Sequence, residues 1–223
     1  MISVIIPTLN EQDKIGILLG SLLGSIDRSL EVIVVDGGSD DGTLEKIHKF
    51  PKIILVKGEK GRANQFNEGA RQSNGDILFF VHADSKLPNL WKEQIEAVMD
   101  NRKYIGGTFY LKFDKEGFWY HLYSRMSQIN NSLCTFGDQG LFVRRTDFEK
   151  IGKYPPIPIM EDYEILYRMR QIGKLTKLDS PIITSARKFT KNGAVLQQFK
   201  NVLIVILYKI GVRPSKLAKW YNG

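Results

Sequence analysis

Along this chain, short continuous apolar runs alternate with stretches in which apolar residues recur every three or four positions. That texture predicts strands covered on both faces, separated by amphipathic helices. The clearest run is Ile77-Leu78-Phe79-Phe80-Val81, entered through Asn74-Gly75-Asp76, stopping abruptly at His82-Ala83-Asp84 and followed by Pro88. It reads as a strand in the middle of a parallel sheet, with the polar pair at its carboxyl end, the edge where open α/β sheets bind ligands. An aspartate there is placed to hold a divalent cation through a hard oxygen. The plainer alternatives are that Asp84 caps a turn and that His82 is a satisfied core histidine.

The chain opens in the same way. Ser3-Val4-Ile5-Ile6-Pro7 predicts a buried strand, Thr8-Leu9-Asn10-Glu11 a polar turn, and Ile15, Leu18, Leu19, Leu22 and Ile26 one face of a helix. Residues 31–35 predict the next strand. Asp36-Gly37-Gly38-Ser39-Asp40-Asp41-Gly42-Thr43 then leads into a helix marked by Leu44, Ile47 and Phe50. Its glycines let the backbone pass close to a ligand, and residues 39–41 can cap the helix. A third strand is expected at 53–56, a helix with small residues on one side at 61–70, and the fourth strand at 77–81. This alternation implies right-handed crossovers and a doubly wound sheet, its ligand edge lined by residues 8–11, 36–38 and 82–84. Neither the glycine fingerprint of a dinucleotide-binding unit nor a P-loop follows the first strand.

Beyond Asp84 the pattern changes. Trp91, Ile95 and Val98 mark a helix, and residues 106–113 alternate like a strand with one wetter face. Phe118-Trp119-Tyr120-His121-Leu122-Tyr123 reads as core and surface packing of a helix, with stacking on a sugar or nonpolar acceptor as the alternative. Gly137-Asp138-Gln139-Gly140 leads into a short strand at 141–144, and Pro155-Pro156-Ile157-Pro158 is a stiff loop. Met160-Glu161-Asp162 then opens a helix with Ile165, Leu166, Met169 and Ile172 on one face. Acidic residues suit a helix start for dipole reasons, which makes capping a rival role. The spacing to Ile165 and Leu166 nonetheless aims Asp162 at the buried side. A last helix, 195–210, carries Val195, Phe199, Val202, Leu203, Ile206 and Ile210 on one face and is apolar all round at Ile204, Val205 and Leu207. It is expected to be buried or in a homo-oligomer interface, with peripheral membrane contact as the alternative.

Composition narrows the classes. With 223 residues, 43% hydrophobic and 25% charged, one globular domain is expected. A net charge of +8 permits nucleic acid, an anionic membrane surface or phosphorylated small molecules as partners. The basic residues read as scattered, and the pairs Arg144-Arg145 and Arg168 with Arg170 are too short for a nucleic-acid tail, so no nucleic-acid partner is expected. The single cysteine, Cys134, rules out an internal disulfide and fits a reducing compartment. No basic segment precedes the first strand, so no signal peptide is expected. The apolar run 202–208 is far short of the roughly 20 residues of a membrane span. A cytoplasmic location follows as the expectation, with possible contact at the inner face of the membrane.

Five segments in order carry a resemblance: Val4-Ile5-Ile6-Pro7-Thr8-Leu9-Asn10-Glu11, Val34-Val35-Asp36-Gly37-Gly38-Ser39-Asp40-Asp41-Gly42-Thr43, Gly61-Arg62-Ala63 with Asn67-Glu68-Gly69-Ala70, His82-Ala83-Asp84, and Glu161-Asp162. Together they resemble the family 2 glycosyltransferases, of GT-A fold. Residues 137–145, 158–162 and Thr184-Ser185-Ala186-Arg187 are similar, more narrowly, to a bacterial subgroup named for arsenosugar biosynthesis. The resemblance implies an α/β fold, with a Rossmann-like, doubly wound, mainly parallel sheet, helices on both faces and a C-terminal helical extension. It implies one domain over 1–223, with a nucleotide-sugar half at 1–88, an acceptor and catalytic half at 89–192, and the extension at 193–223.

The implied reaction is inverting transfer of a sugar, of the hexosyltransferase type, from a nucleotide-diphosphate donor to an acceptor hydroxyl on a sugar, lipid or small molecule. By motif, Pro7, Thr8, Asn10, Glu11, Asp36 and Gly37 would contact the nucleoside, and Arg62 and Ala83 the rest of the nucleotide sugar. Asp84 would hold a divalent metal, Mn or Mg, at the diphosphate. Asp162 would be the base, and Asp138, Gln139 and Glu161 would face the acceptor. A diphosphate leaving group needs its charge neutralised, and one positioned carboxylate suffices for a direct displacement. The chain departs from the family's Asp-x-Asp signature by placing His82 first. His82 would then ligate a softer ion such as Mn²⁺, contact the nucleotide, or contribute little. Two rivals remain. A sugar nucleotidyltransferase would carry a glycine- and basic-rich loop after the first strand, absent here, and a noncatalytic nucleotide-sugar-binding module is disfavoured by Asp84 and Asp162.

Overall fold

Four parallel strands form where the continuous apolar runs predict them: β1 (Ile2–Thr8), β2 (Leu30–Asp36), β3 (Ile54–Lys57) and β4 (Ile77–Phe80). The structure, a computed structural model, describes residues 1–131, 135, 137–187 and 193–222; Cys134 lies outside the described residues. Every residue of β1 is buried, as a strand covered on both faces requires. Its register runs from Ile2 opposite Leu30 to Thr8 opposite Asp36 on one side, and from Ile2 opposite Ile77 to Ile5 opposite Phe80 on the other. Thr8, Asp36 and the residues after Phe80 therefore finish at one edge of the sheet.

The second half adds α4 (Trp91–Asp100), β5 (Tyr104–Phe113), α5 (Phe118–Ser127), β6 (Leu141–Arg144), α6 (Arg145–Lys150), α7 (Glu161–Ile172) and β7 (Lys174–Thr184). The result is one seven-stranded sheet in the order β3-β2-β1-β4-β6-β5-β7. Only β6 runs against its neighbours, antiparallel to β4 and β5, while β5 and β7 are parallel. β5 has no wetter face over its first half. Gly106, Gly107, Thr108 and Phe109 are all buried, because Phe109 packs with Trp91, Ile95 and Met99 of α4 on one face and Met169 of α7 lies against Gly106 on the other.

Alternate side chains of β4 feed two cores. Phe79 stacks on Trp91 with ring centroids 5.2 Å apart, in a core shared with α1 (Ile15–Leu22), α2 (Thr43–Ile47) and α4. Phe80 faces the other way, edge-on to Phe66 at 5.1 Å and to Tyr154 at 5.1 Å, in a core with α3 (Arg62–Gln72), α6 and α7. Each such aromatic contributes about 1.5–3 kcal/mol by leaving water. The small face of α3 has a packing reason. A Cβ on Gly69 would lie 2.3 Å from Ile5 Cγ2, so only glycine lets α3 rest this closely on β1.

The chain continues through α8 (Ala194–Lys209) and α9 (Pro214–Asn222), the latter not anticipated from the sequence. Ile204 and Val205 of α8 and Leu217 of α9 pack on Met160 in a third cluster. Of the expectations for α8, burial within the chain holds only for its Ile204–Val205 side, and the Phe199 stripe stays open, with Phe199 64% exposed. Among the described residues no helix is long and apolar enough to cross a membrane.

Candidate active site

The loops after β1 and β2 are laced together. Asn10, at φ 55°, donates from Nδ2 to Asp40 Oδ1 at 2.7 Å and accepts from the Asp40 amide at 3.0 Å. The Asn10 amide donates to Ser39 Oγ at 3.0 Å, and the Glu11 amide to Thr43 Oγ1 at 2.9 Å. Asp36 closes its own loop, accepting from the Gly38 amide at 2.9 Å, the Ser39 amide at 3.0 Å and Ser39 Oγ at 2.5 Å. The capping expected from residues 39–41 comes from Asp41, which accepts from the Thr43 amide at 2.9 Å. From α3, Gln65 Nε2 donates to the carbonyls of Thr8 and Val35, both at 2.8 Å, pinning the ends of β1 and β2 at the same height. Pro7 and Thr8 are buried, and Thr8 Oγ1 has no hydrogen-bond partner among the described residues.

The β4 edge is held open by a second set of contacts. Val81 continues the pairing by donating to the Ile5 carbonyl at 3.0 Å, and Lys86 bridges to Ile183 of β7. Ala83 is buried in the core, away from the nucleotide-sugar contact expected of its side chain, while Asp84 is half-buried. The crossing to β7 brings up a residue that sequence reasoning gave no role. Arg187 pairs with Glu11 and lies 3.9 Å from Asp84 Oδ2. Burial works against its charge, but the hydrogen bond to Glu11 and the charges of Glu11 and Asp84 prevail and raise its pKa. Asn10, Glu11, Asp114, Lys115, Ser185 and Arg187 are among the residues around an open cavity of about 720 Å³. A smaller recess of about 100 Å³ beside it reaches Asp84 and Ser85.

No group of three or more His, Cys, Asp or Glu side chains that could hold a metal occurs among the described residues. At the β4 edge the chain offers the Asp84 carboxylate and, two residues earlier, the His82 ring, which sits edge-on to Phe66 with centroids 5.9 Å apart. That donor set suits a hard cation carrying substrate phosphate oxygens, for which one or two protein ligands are enough, and does not suit an ion held by protein alone.

On the other face of the sheet edge lies an acidic cluster. Arg62, at the start of α3, is paired with Glu161 at 2.6 Å and with Asp162 at 3.8 Å. Met160, at φ 72° and buried in the third cluster, starts α7 and has no side-chain cap bond. Glu161 is 2% exposed, and Asp162 Oδ1 is buried without a hydrogen-bond partner among the described residues. Gly137 makes the close approach possible, since a Cβ there would fall 2.0–2.3 Å from the carboxylate atoms of Asp162. Burial first, then the charges of Glu161 and Asp138, push Asp162 up from 3.8 to about 7, with Arg62 pulling the other way. The start of α7 carries no side-chain cap bond, so no capping hydrogen bond is assigned to Asp162. Burial opposes the Arg62 charge, yet Asp162, Glu161 and Asp138 together raise its pKa.

Tyr154 also escaped sequence reasoning. Its ring stacks on Phe66 at 4.9 Å, and its backbone exchanges hydrogen bonds with the Asn67 amide group at 2.8 and 3.0 Å. Burial and the nearby carboxylates raise its hydroxyl pKa well above the ordinary value. The Asn67 to Ala70 motif is therefore a mounting: Asn67 holds the Tyr154 loop and Gly69 seats α3. Of the three expected acceptor residues, Asp138 and Glu161 belong to the cluster, whereas Gln139 is fully buried and accepts a hydrogen bond from Lys177.

A mixed, mostly parallel seven-stranded sheet with helices packed on it is the arrangement of the GT-A glycosyltransferases. Comparison with known proteins agrees. The Glycosyl transferase family 2 profile matches residues 3–169, and the chain belongs to that family of glycosyltransferases. An uncharacterised glycosyltransferase of Haemophilus influenzae is 26% identical over 225 residues, covering 93% of this chain and 75% of its own. Several other curated relatives are matched over less than two thirds of their length. Among solved structures, the mannosyltransferase PcManGT from Pyrobaculum calidifontis, in complex with GDP-Man and Mn²⁺, superposes with a TM-score of 0.70 at 19% identity. That match covers 99% of this chain and 68% of PcManGT. Glucosyl-3-phosphoglycerate synthase from Mycobacterium tuberculosis, in complex with Mn²⁺, UDP and glucosyl-3-phosphoglycerate, gives 0.69 at 18% identity, covering 95% and 80% of the two chains.

Proposed function

We propose that the protein transfers a sugar from a nucleotide-diphosphate donor to an acceptor hydroxyl, with inversion, and that Asp162 is the base. The observation that carries the reading is the Asp162 carboxylate itself: buried, with Oδ1 unpartnered among the described residues and a pKa of about 7. A base poised near neutrality can take a proton and still be ionised at working pH. The donor would lie along the edge formed by β1, β2 and β4. Pro7, Thr8, Asn10, Glu11 and Gly37 would receive the nucleoside, with Asp36 shaping the loop that does so, and Asp84 would face the diphosphate. In domain terms, residues 1–88 would serve the donor and 89–192 the acceptor, with 193–223 supporting the helix that carries Asp162.

The acceptor oxygen gives its proton to Asp162 as it bonds to the anomeric carbon. The bond from that carbon to the diphosphate oxygen breaks, and nucleoside diphosphate leaves. Arg62 is paired most closely with Glu161, which leaves Asp162 Oδ1 to take the proton, and the charges of Glu161 and Asp138 keep Asp162 basic. A divalent cation bound at Asp84, with His82 beside it, would supply charge neutralisation at the leaving diphosphate. Solved neighbours hold Mn²⁺ together with GDP-Man or UDP, which supports this donor class and this metal. The narrower likeness to the arsenosugar-associated subgroup rests on residues 137–145, 158–162 and 184–187 and bears on pathway more than on chemistry. Thermal unfolding in the presence of UDP, GDP and their sugars, with and without Mn²⁺, tests the reading. Stabilisation by one nucleotide series, larger with metal, is expected. No shift with any nucleotide diphosphate would refute it.

A further inference from the structure

The positive charge of this protein is not scattered, as a first reading along the chain suggests. Of 32 Lys and Arg and 24 Asp and Glu, residues 180–223 hold 8 of the basic and none of the acidic, which leaves residues 1–179 with 24 of each and no net charge. Five of these eight, Lys200, Lys209, Arg213, Lys216 and Lys219, fall in the stretch that forms α8 and α9, and Arg187 is paired with Glu11 instead.

The same region carries an open apolar surface. On α8, Leu196, Phe199, Val202, Ile206 and Ile210 recur at three- and four-residue spacing and are each 48–72% exposed. On α5, which packs against α8, Phe118, Trp119, Leu122 and Met126 form a second stripe, 37–74% exposed, continued past the helix end by Ile129. Isolated exposed hydrophobics are ordinary, but two adjoining stripes are not. The opposite side of α8 is already occupied, by Ile204 and Val205 against Met160 and by Tyr208, whose hydroxyl donates to Glu164 at 3.0 Å. Neither α5, α8 nor α9 contains an acidic residue, while Arg125, Lys200, Lys209, Lys216 and Lys219 lie on them. Lys200 sits 5.9 Å over the Trp220 ring.

We propose that the α5–α8 face docks on an anionic phospholipid surface, with the two helices lying in the interface plane. Apolar stripes flanked by lysine and arginine, too short and too polar to span, are what such a position requires. A second copy of the chain is the poorer occupant. A symmetric contact through this face would set the lysines of each copy against those of the other, and the carboxylate beside it, Glu116 just before α5, is already paired with His121. Nucleic acid would match the charge but has no use for exposed leucine, isoleucine and valine. The face also adjoins the cavity, because Lys115 on its rim stands just before Phe118. On the transferase reading, an acceptor hydroxyl borne by a bilayer amphiphile would arrive at that rim; the docking itself does not depend on it.

Sedimentation of the full-length protein with vesicles tests the proposal, using phosphatidylcholine alone and phosphatidylcholine mixed with phosphatidylglycerol. Binding to the mixed vesicles only, released by high salt, is expected. The double variant Phe199→Ser with Ile206→Ser should lower the bound partition coefficient at least about tenfold, since both side chains are half-exposed or more and their loss removes buried area only in the docked state. Its unchanged thermal midpoint would show that the fold is intact. Asp162→Asn should bind vesicles like the wild type, so failure of docking and failure of the transferase reading are separable. Absence of binding, or equal binding to both vesicle types, would overturn the proposal. So would a dimer in light scattering that the double variant dissociates.

Discussion

Replacing Asp162 by Asn should make this protein more stable, and only above a certain pH. In the folded state burial and the Glu161 charge hold the carboxyl at about 7, against an ordinary 3.8. Below about pH 4 the carboxyl is protonated in both the folded and the unfolded chain, and it imposes no cost. Between about pH 4 and 7 the unfolded chain gives up the proton while the folded one keeps it, so stability falls as pH rises. Above the folded pKa the loss is complete. A shift of roughly three units corresponds to at most about 4 kcal/mol. Because Arg62 and the surrounding solvent respond when the carboxyl ionises, we expect about half of that, ~2 kcal/mol. For a domain of this size that is roughly 4–8 °C in midpoint. Asn keeps the shape and cannot ionise. Thermal unfolding of both proteins from pH 4 to 9 should therefore give curves that coincide at the acid end and separate toward pH 8, with Asp162→Asn higher. A difference that does not change with pH, or a variant less stable at pH 8, would refute the reasoning.

Gly137→Ala should slow transfer by about a hundredfold with a stability loss of about 1–3 kcal/mol, because the new Cβ occupies the space of the Asp162 carboxylate; steady-state rates and a chemical melt separate the two effects. Asp84→Ala should remove the Mn²⁺-dependent part of nucleoside diphosphate affinity and leave the fold intact, which calorimetric titration with and without metal reads directly. Truncation after Gly193 uncovers Met160 and removes Ile204, Val205 and Leu217 from its cluster. Loss of solubility or of the thermal transition is expected, and a well-behaved truncated protein with full turnover would show that α8 and α9 do not support α7.

How much of this was legible in the sequence follows from which residues make local patterns. β1, β2 and β4 are buried on both faces and so leave unbroken apolar runs, which is why the shared sheet edge at Thr8, Asp36 and Asp84 could be located by spacing. β7 could not. As an edge strand it tolerates Lys174, Lys177, Asp179 and Pro181, and its pairing with β5 leaves no periodic trace. Asp162 was legible as facing inward, but its raised pKa needed Glu161, Arg62 and Asp138, brought together from three parts of the chain. Tyr154 went unnoticed and Arg187, though part of a recognised motif, was given no site role for the same reason, their partners Asn67 and Glu11 lying far off in sequence. Arg144-Arg145, conspicuous in sequence, is structural. Arg145 donates to the carbonyls of Gly75 and Ala70 and to Ser73 Oγ, and Arg144 donates to the carbonyl of Met99.

The release of nucleoside diphosphate from a nucleotide sugar, measured against pH for the wild type and Asp162→Asn, tests the central claim most directly. For the wild type the rate should climb tenfold per pH unit below about 7 and level off above it, as ionisation of a single base demands. Asp162→Asn should lose at least about a hundredfold at the plateau while holding the donor with near-normal affinity. Turnover within a fewfold of the wild type, or a pH profile unmoved by the substitution, would contradict the account and shift the role of base to Glu161 or Asp138.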